Sequence, residues 1–441
     1  MRGLRLLLPL LVVVSGLVWW EQFLLASGAK ATAVTRTHEA IVIPGSSFGD
    51  WLGVPLAELV LYRYHDGAWQ SIPFQVDEVD EDGNYVAEFD GLLGANDELV
   101  FMAVDSGHIV TATQWVSDTF ALQQPRYQIA ITDPLDPDAV GWVYLYRSPT
   151  LPRSDTVYVN WSNETQTATA VSYTLAFAPD DFLGLASISL NTQPQNVLDR
   201  QKLRVEGRLF GFLPVLITEE SILELLDDPV ALTLPITGPV RAIGGSSLQQ
   251  AAFYSQQANL SVSFSLSDLP GDLTVDKVRL SLDLADPQAS GLAPATYYDS
   301  NVAAGVPVDG QPDAVPTQPL AAWQQIDGAY GGFVSLLDVA VGSGQTGTYY
   351  LDDDTFDPND TGDGRSYGDA GFFITNPGGL LQVQQQVYFL SGQQGNQGNF
   401  FAQQAANPLQ TNISQQSPPG APQPPGFDLF LPLLVAAGQE T

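Results

Sequence analysis

The chain has no cysteine, only three lysines and only three histidines among its 441 residues. Without cysteine it can form no disulfide, thiolate nucleophile, iron–sulfur cluster or cysteine-bound zinc site. The histidines, His38, His65 and His108, include no pair spaced four residues apart. The sequence therefore indicates neither a histidine metal site on a helix nor a histidine-based catalytic triad.

Positive charge is equally scarce. Lysine and arginine together number 16 against 49 aspartates and glutamates, which gives a net charge of -33. A nucleic-acid backbone would meet strong repulsion and few cations to neutralise its phosphates, so we expect no nucleic-acid partner. An acidic surface is compatible with neutral glycans and with cationic partners. Among cations, we expect calcium, because carboxylate oxygens are its usual ligands.

Apolar residues are plentiful enough to build a folded core. They make up 44% of the chain, in short runs rich in Val, Ile, Leu, Tyr and Phe that Gly, Pro, Asn and Asp separate. This spacing predicts strands and turns, so the expected fold class is all-β. Alternating apolar and polar residues over 259–266 and 278–284 are typical of antiparallel sheets with one wet face. One short helix is predicted over 218–226.

Proline-containing segments divide the chain into units. A first unit is predicted over 31–150 and a second over 155–405. The first fits a small Ig-like β-sandwich, and the second fits a larger antiparallel β-sandwich of the supersandwich kind. Residues 406–441 are predicted to be a Pro/Gln-rich linker followed by an apolar C-terminal tail.

The N-terminal segment 1–30 has the layout of an export signal. Two arginines precede an apolar run over 6–20, and small residues follow. The run is shorter than the ~20 residues that span a bilayer, so we expect a cleaved signal peptide, with an uncleaved signal anchor as the alternative. The protein would then be extracellular or on the cell surface, and an uncleaved segment would be its only contact with the membrane.

Two acidic clusters are candidate calcium sites, because calcium takes about six to eight oxygen ligands from a sharply bent loop. The first surrounds Gly83, and its candidate ligands are Asp77, Asp80 and Asp82. The second surrounds Gly362, and its candidate ligands are Asp352, Asp354, Asp357, Asn359, Thr361, Asp363 and Asp369. Both lack the closing glutamate of an EF-hand loop, since Phe89 and Gly368 hold that position. Solvated acidic loops are the alternative in both places.

Aromatic and basic residues supply candidate contacts for a carbohydrate. Trp323, Tyr330 and Tyr349 could stack on sugar rings, although such residues in β-proteins more often pack in the core. Arg204 shares a short basic stretch with Lys202 and could bind a carboxylated ligand. The alternative for Arg204 is an ion pair with one of the glutamates that follow it, Glu219, Glu220 or Glu224.

Part of the chain resembles exported bacterial all-β proteins of unknown function. In those proteins a Gln-Val-Asp run precedes an Asp-Glu-Leu-Val-Phe strand, and here the matching segments are Gln75-Val-Asp77 and Asp97-Glu-Leu-Val-Phe101. The resemblance continues in 349–353 and 367–371. It implies a small sandwich joined to a larger one similar to the broad sandwiches of carbohydrate-active proteins, and it carries no activity with it.

The expected function is therefore binding or scaffolding at the cell surface, with a glycan or another cell-surface protein as partner and Ca²⁺ as a stabilising ion. The alternative is a secreted carbohydrate-active enzyme, a glycoside hydrolase or polysaccharide lyase, with its site in the larger unit. No set of catalytic residues is indicated, so the sequence favours binding over catalysis. Two carboxylates roughly 5–10 Å apart in an aromatic-lined groove would mark the enzyme.

Overall fold

The computed structural model describes residues 33–178, 184–191, 193–222, 231–246, 248–269 and 271–419. In these residues the sheets are antiparallel and strands predominate over short helices, which confirms the predicted all-β fold class. The expected export signal at 1–30 and the apolar end of the C-terminal tail lie outside the described residues. Among the residues that are described, no helix has both the length and the apolar character needed to cross a bilayer.

Twenty-four strands run through the described parts of the chain. In chain order they are β1 (Ala40–Pro44), β2 (Leu59–His65), β3 (Ala68–Ser71), β4 (Phe74–Asp77), β5 (Glu98–Met102), β6 (Arg126–Asp133), β7 (Asp136–Arg147), β8 (Val159–Ser162), β9 (Thr167–Ala170), β10 (Tyr173–Phe177), β11 (Leu185–Leu190), β12 (Leu198–Leu209), β13 (Leu213–Thr218), β14 (Thr233–Thr237), β15 (Ala242–Gly245), β16 (Gln249–Phe253), β17 (Gln257–Ser265), β18 (Leu273–Leu284), β19 (Thr296–Asp299), β20 (Val306–Pro307), β21 (Trp323–Gly328), β22 (Gly331–Asp353), β23 (Ser366–Ser391) and β24 (Gln410–Gln416). The α-helices are α1 (Glu219–Ile222), α2 (Pro287–Ser290) and α3 (Gly398–Ala406). Helix α1 lies within the helix predicted over 218–226, of which 223–226 are outside the described residues.

Strands β1 to β7 and β24 form what we call the N-terminal unit. Its three-stranded sheet, β1-β5-β4, packs on a five-stranded sheet in the order β24-β6-β7-β2-β3. Alternate residues of each strand point into the space between the sheets, so Ile41 and Phe101 from one sheet meet Ile129 and Leu145 from the other. This is the small sandwich that the sequence predicts.

The last strand of that sandwich comes from the far end of the chain. Residues 410–416, which the sequence places in a linker, form β24, and it pairs with β6 from Gln410 opposite Thr132 to Gln416 opposite Arg126. Ile413 packs against the sandwich core. The segment Gln-Thr-Asn-Ile-Ser-Gln-Gln has too little apolar alternation to show as a strand, because its structure depends on the open edge of β6 rather than on local preference.

Strands β8 to β23 form the larger unit. Nine strands follow the order β14-β15-β16-β17-β23-β22-β21-β19-β20, and β18, β12 and β13 extend the same sheet from another part of β23. The four-stranded sheet β11-β10-β9-β8 packs on one face of it, where Tyr173 and Leu175 meet Phe253 and Phe389. The larger unit is thus a second, broader sandwich.

The long pair β22 and β23 corrects one sequence-based interpretation. The glycine-rich stretch 342–347 is predicted to be a hairpin turn between two strands. Instead it lies inside β22, where the register with β23 slips at Ser343 and Gly344 has a φ of +127°. Glycine inside a strand allows an irregularity of this kind without ending the strand, so sequence composition alone suggests a turn.

Candidate functional site

An open groove of about 700 Å³ lies where the N-terminal unit meets the larger sheet. Residues 83–85 of the N-terminal unit form one wall, and strands β14 to β17 and β23 provide the rest. Among the described residues that line it, none is charged. Its polar lining residues are Asn84, Tyr85, Thr233, Ser246, Gln250, Asn259, Ser261, Gln384, Gln385 and Gln386. A neutral groove is unexpected in a chain with a net charge of -33.

The floor of the groove is an array of amides on three neighbouring strands. Asn259 lies opposite Gln386, and Ser261 lies between Gln250 and Gln384. Residues directly opposite each other in an antiparallel pair project from the same face of the sheet, so these side chains form one polar surface. The backbone groups beneath them are paired within the sheet, and a ligand would therefore meet mainly side-chain donors and acceptors.

A second cavity of about 190 Å³ adjoins the groove, because both are lined by Asn259 and Gln386. It is bounded on the N-terminal side by His38 and Glu39 and on the other side by residues that include Tyr388. Burial, and then the charge of Arg36, lowers the pKa of His38 to about 4. The imidazole is consequently neutral at physiological pH, which keeps this extension of the groove less charged.

A buried arginine of the larger unit forms ion pairs with the N-terminal unit beside the groove. Arg241, immediately before β15, donates from Nε to Oδ2 of Asp77 at 2.7 Å and from Nη2 to Glu98. The side-chain oxygen of Gln75 accepts from the backbone N–H groups of Val240 and Arg241, each at 2.9 Å. Asp77 and Arg241 are only 2% and 3% exposed, and burial raises the pKa of Asp77. Residues that carry the resemblance thus join the two units.

Tyr85 is the aromatic residue of the groove lining. Its hydroxyl donates to Oε2 of Glu98 at 3.0 Å, and the guanidinium of Arg241 lies 5.5 Å from its ring centroid. These contacts fix the ring at the mouth of the groove while leaving the residue half-buried. An aromatic ring held in this way offers an apolar surface beside the amide array.

The first predicted calcium site does not form a common cage. Asp77 is engaged by Arg241, whereas Asp80 accepts the backbone N–H groups of Asp82 at 3.0 Å and Asn84 at 2.8 Å within its own turn. Asp82 is exposed. Within the described residues, no group of three or more His, Cys, Asp or Glu side chains could hold a metal ion. Closeness in sequence did not reveal that Asp77 faces the other unit.

The second predicted calcium site is divided among three surroundings. Asp352 is buried on β22, where it accepts the backbone N–H groups of Asp309, Gly310 and Gly368. Asp369 is buried on β23, whereas Thr361 donates to Glu219 at 2.6 Å. The remaining candidates are exposed in the connection 354–365, namely Asp354, Asp357, Asn359 and Asp363. Calcium therefore stays a prediction that the placement of these residues does not support.

Two basic residues of β12, Lys202 and Arg204, lie in a buried ionic cluster beneath the connection 354–365. Nζ of Lys202 is 2.5 Å from Oδ2 of Asp283 and 2.6 Å from Oδ2 of Asp360. Arg204 contacts Glu219 through Nη1 and Asp360 through Nη2, both at 2.5 Å. Of the two alternatives for Arg204, the structure contains the ion pair with Glu219. Its cationic group is satisfied internally rather than presented to a ligand.

Two neighbouring carboxyl groups stand out within this cluster. Asp369 is fully buried, and neither of its carboxylate oxygens has a hydrogen-bond partner within the part of the chain that is described. Burial, and then the charge of Asp369, raises the pKa of Asp283. Arg279 lies with Nη1 at 3.8 Å from Oδ2 of Asp369 and with its guanidinium 4.3 Å from the ring centroid of Tyr349. The ring of Tyr349 therefore stacks with the guanidinium of Arg279, and Tyr349 is not among the residues that line the groove.

The other two predicted ligand contacts are also remote from the groove lining. Trp323 is 1% exposed, packs with Phe401 of α3 and donates from Nε1 to Asn399 at 3.0 Å. No face of its ring is therefore available to a sugar. Tyr330 is half-buried and donates its hydroxyl to the backbone oxygen of Ser290 at 2.9 Å. Both residues stabilise the larger unit in these positions.

Sequence reasoning missed the amides that form the floor of the groove. The alternation Gln382-Val-Gln384-Gln-Gln386 within β23 is visible in the sequence and indicates a strand with a polar face. It does not show that polar residues of β16 and β17 continue the same surface. Arg241 gave no local signal, because its acidic partners are more than 140 residues away in the chain.

Comparisons with known proteins give little further information. No protein-family model matches the chain, and no curated protein matches it. Among solved structures, the chain is similar to an α-mannosidase from Enterococcus faecalis V583, with 10% identity and a TM-score of 0.41. The match covers 86% of this chain and 44% of that structure, so the chain spans less than half of the mannosidase.

Proposed function

We propose that the protein binds a neutral oligosaccharide in the groove between its two units. The observation that carries the proposal is the uncharged, amide-rich lining of a groove of about 700 Å³ in a strongly acidic chain. A side-chain amide offers both donors and an acceptor, and so does each sugar hydroxyl. The volume lies within the ~300–1,000 Å³ typical of small-molecule sites.

The arrangement of the floor favours a polyhydroxylated ligand over an extended peptide. Peptides that add to a sheet need an open strand edge, whereas the floor here is the face of paired strands β16, β17 and β23. The amides on that face point toward the ligand without a neighbouring formal charge among the described lining residues. A uronate-rich glycan would gain no cationic partner there, so a neutral glycan is the better match.

The setting of this activity is also part of the proposal. The N-terminal sequence supports action outside the cell or at its surface, where glycans and glycosylated partners are found. Binding needs no calcium in this scheme, since uncharged side chains provide the contacts. Another cell-surface protein would fit as a partner through the neutral sugar that it carries.

The test is a titration of the protein with neutral oligosaccharides and with uronate oligosaccharides of the same length. We expect saturable binding of a neutral sugar and none of the uronates. Replacing Gln384 and Gln386 by alanine is expected to weaken binding by about fivefold per amide, from the loss of ~1 kcal/mol per hydrogen bond. The matched control is Gln382→Ala, because Gln382 is an exposed amide on the same face of β23 beyond the groove lining. Equal loss in the control, or binding of uronates alone, would contradict the proposal.

A second candidate function is a carbohydrate-active enzyme acting through Asp283 and Asp369. The observation that favours it is a buried carboxylate with no hydrogen-bond partner among the described residues, beside a carboxyl group whose pKa is raised. This combination is used for acid and base chemistry. Both side chains are fully buried beneath the connection 354–365, so this candidate also requires that connection to move. Release of smaller sugars by the native protein and not by Asp369→Asn would support the enzyme over the binding protein.

A further inference from the structure

The hairpin formed by β12 and β13 ends in an exposed apolar tip, which we define as residues 209–216. Phe210 and Phe212 are 64% and 76% exposed, and Leu213 and Leu216 are each 50% exposed. Between the two phenylalanines, Gly211 has no other described atom within 4 Å of the position that a Cβ would occupy. Single exposed apolar residues are ordinary, but several together at one protrusion indicate an interaction surface.

The backbone at the tip adds a second observation. Phe210 and Gly211 have φ values of +52° and +76°, and the N–H of Phe212 bonds to the carbonyl of Leu209 at 3.2 Å. Asn or Gly suits such a turn, whereas a bulky residue at positive φ is an outlier. Phe210 therefore combines an unfavourable backbone conformation with an exposed aromatic ring. Local strain of this kind is concentrated at functional sites.

The charged residues that flank the tip comprise two pairs of opposite charge and one further carboxylate, Asp272. Arg208 pairs with Asp276 through two hydrogen bonds, at 2.9 and 2.6 Å, and Nζ of Lys277 lies 3.5 Å from Oε1 of Glu206. The backbone oxygen of Asp272 accepts from the N–H of Phe210 at 2.9 Å, and this residue is exposed, so these five charges sum to -1. A tip with this small negative charge is repelled by anionic lipids, but it can approach zwitterionic headgroups, which carry no net charge.

The length of the tip matches the depth of a bilayer interface. Arg208 lies opposite Pro214, and Gly211 at the apex of the turn is three positions from each of them. At ~3.3 Å per residue the apolar tip projects at most ~10 Å beyond the charged pair. Segments that lie at a membrane surface bury their apolar side ~5–10 Å into the boundary between headgroups and acyl chains.

We propose that this tip inserts into the interfacial region of a zwitterionic bilayer and holds the larger unit at the membrane surface. A narrow and convex protrusion suits a fluid lipid boundary, where no complementary pocket is required. This membrane contact is separate from the N-terminal segment 1–30 and does not depend on sugar binding in the groove. It gives the chain a peripheral attachment whether or not that segment is retained.

The test uses the absence of native cysteine, which allows one reporter per molecule. The full chain carrying Phe212→Cys is labelled with an environment-sensitive fluorophore and mixed with phosphatidylcholine vesicles. We expect the emission to rise and shift to the blue, and a quencher attached to the lipid to reduce it. The matched control is Phe356→Cys, since Phe356 is 60% exposed in the connection 354–365. Its label is expected to respond little.

A second variant separates lipid contact from folding. Phe210→Asn places a residue suited to positive φ at the turn, so thermal stability should stay the same or rise. The same variant should lower the lipid response of a label at position 212 by roughly tenfold or more, because it removes one large apolar side chain from the membrane. Loss of response with full stability cannot be attributed to misfolding.

Four results would overturn the proposal. The first is no response of the label at position 212 to phosphatidylcholine vesicles, and the second is an equal response at position 356. The third is a response to anionic vesicles only, which would contradict the expected repulsion between the tip and anionic lipids. The fourth is a response without vesicles that grows with protein concentration, which would identify another copy of the chain as the partner.

Discussion

Replacing Arg241 with methionine should weaken the attachment between the two units by an amount that follows from burial. Methionine keeps much of the apolar stem but removes the guanidinium that contacts Asp77 and Glu98. Asp77 would then be left 2% exposed without its cationic partner. Removing one member of a buried ion pair costs about 3–5 kcal/mol, because the remaining charge stays desolvated. That is a large share of the ~5–15 kcal/mol that stabilises a typical domain.

The stability that Arg241→Met loses should depend on pH in a direction that can be predicted. Burial already raises the pKa of Asp77 in the folded protein, and loss of Arg241 would raise it further. A carboxyl group with a raised pKa binds its proton more tightly in the folded state than in the unfolded state. Stability therefore falls as the pH rises through that pKa. The difference in free energy of unfolding between the native protein and Arg241→Met should be largest near pH 7 and should become smaller as the pH is lowered toward 5.

The assay is urea unfolding followed by tryptophan fluorescence at several pH values. Adding Asp77→Asn to Arg241→Met should recover roughly 1–3 kcal/mol, since it removes the stranded charge. Arg208→Met is the matched control: its pair with Asp276 is exposed, and its unfolding should stay close to that of the native protein. A deficit below ~1 kcal/mol, no narrowing at low pH, or no recovery in the double variant would refute the reasoning.

Three further predictions concern pH, the last strand and calcium. Burial raises the pKa of Asp105 to about 6, so its contribution to the free energy of unfolding should fall as the pH rises from 3.8 to about 6. Burial lowers the pKa of His38 to about 4, so its contribution should rise between about pH 4 and pH 6.5. Unfolding of each single variant across this pH range should separate the two effects: the stability of Asp105→Asn should rise with pH, and the stability of His38→Gln should fall. Each slope should reach at most ~1.4 kcal/mol per pH unit, and the two largely cancel in the native protein. Ending the chain after Asn407 removes β24 and exposes the edge of β6, so light scattering should detect aggregation, while ending it after Pro419 should not. Melting in EDTA and in millimolar calcium should give the same temperature, and a rise of several degrees with calcium would restore the sequence-based calcium prediction.

Strand patterning was the most predictable property of this chain. The alternation over 278–284 lies within β18, and the apolar runs near 127–131 and 142–146 lie within β6 and β7. Successive side chains of a strand point to opposite faces of the sheet, so the pattern can be recognised from neighbouring residues alone. The same local logic placed Arg204 near an acidic partner, because β12 is followed closely by α1 in sequence and in space.

The candidate site was far less predictable, because its parts come from distant segments. Arg241 meets Asp77 across 164 positions of the chain, and the groove floor joins residues of β16 and β17 to residues of β23. Composition identified acidic clusters but could not show which carboxylates face solvent, backbone N–H groups or cations. Asp352 and Asp369, predicted as ligands of one ion, lie in different polar surroundings for this reason.

The sequence by itself determined the all-β class, the strand-rich character of both units and the scarcity of positive charge that disfavours nucleic acids. Only the tertiary structure decided that 410–416 complete the N-terminal sandwich, that a buried arginine joins the two units, and that neutral amides gather in a groove between them. The physical reason is the range of the interactions. Side-chain alternation is set by adjacent residues, whereas an open strand edge, a buried ion pair and a shared sheet face exist only after distant segments have met.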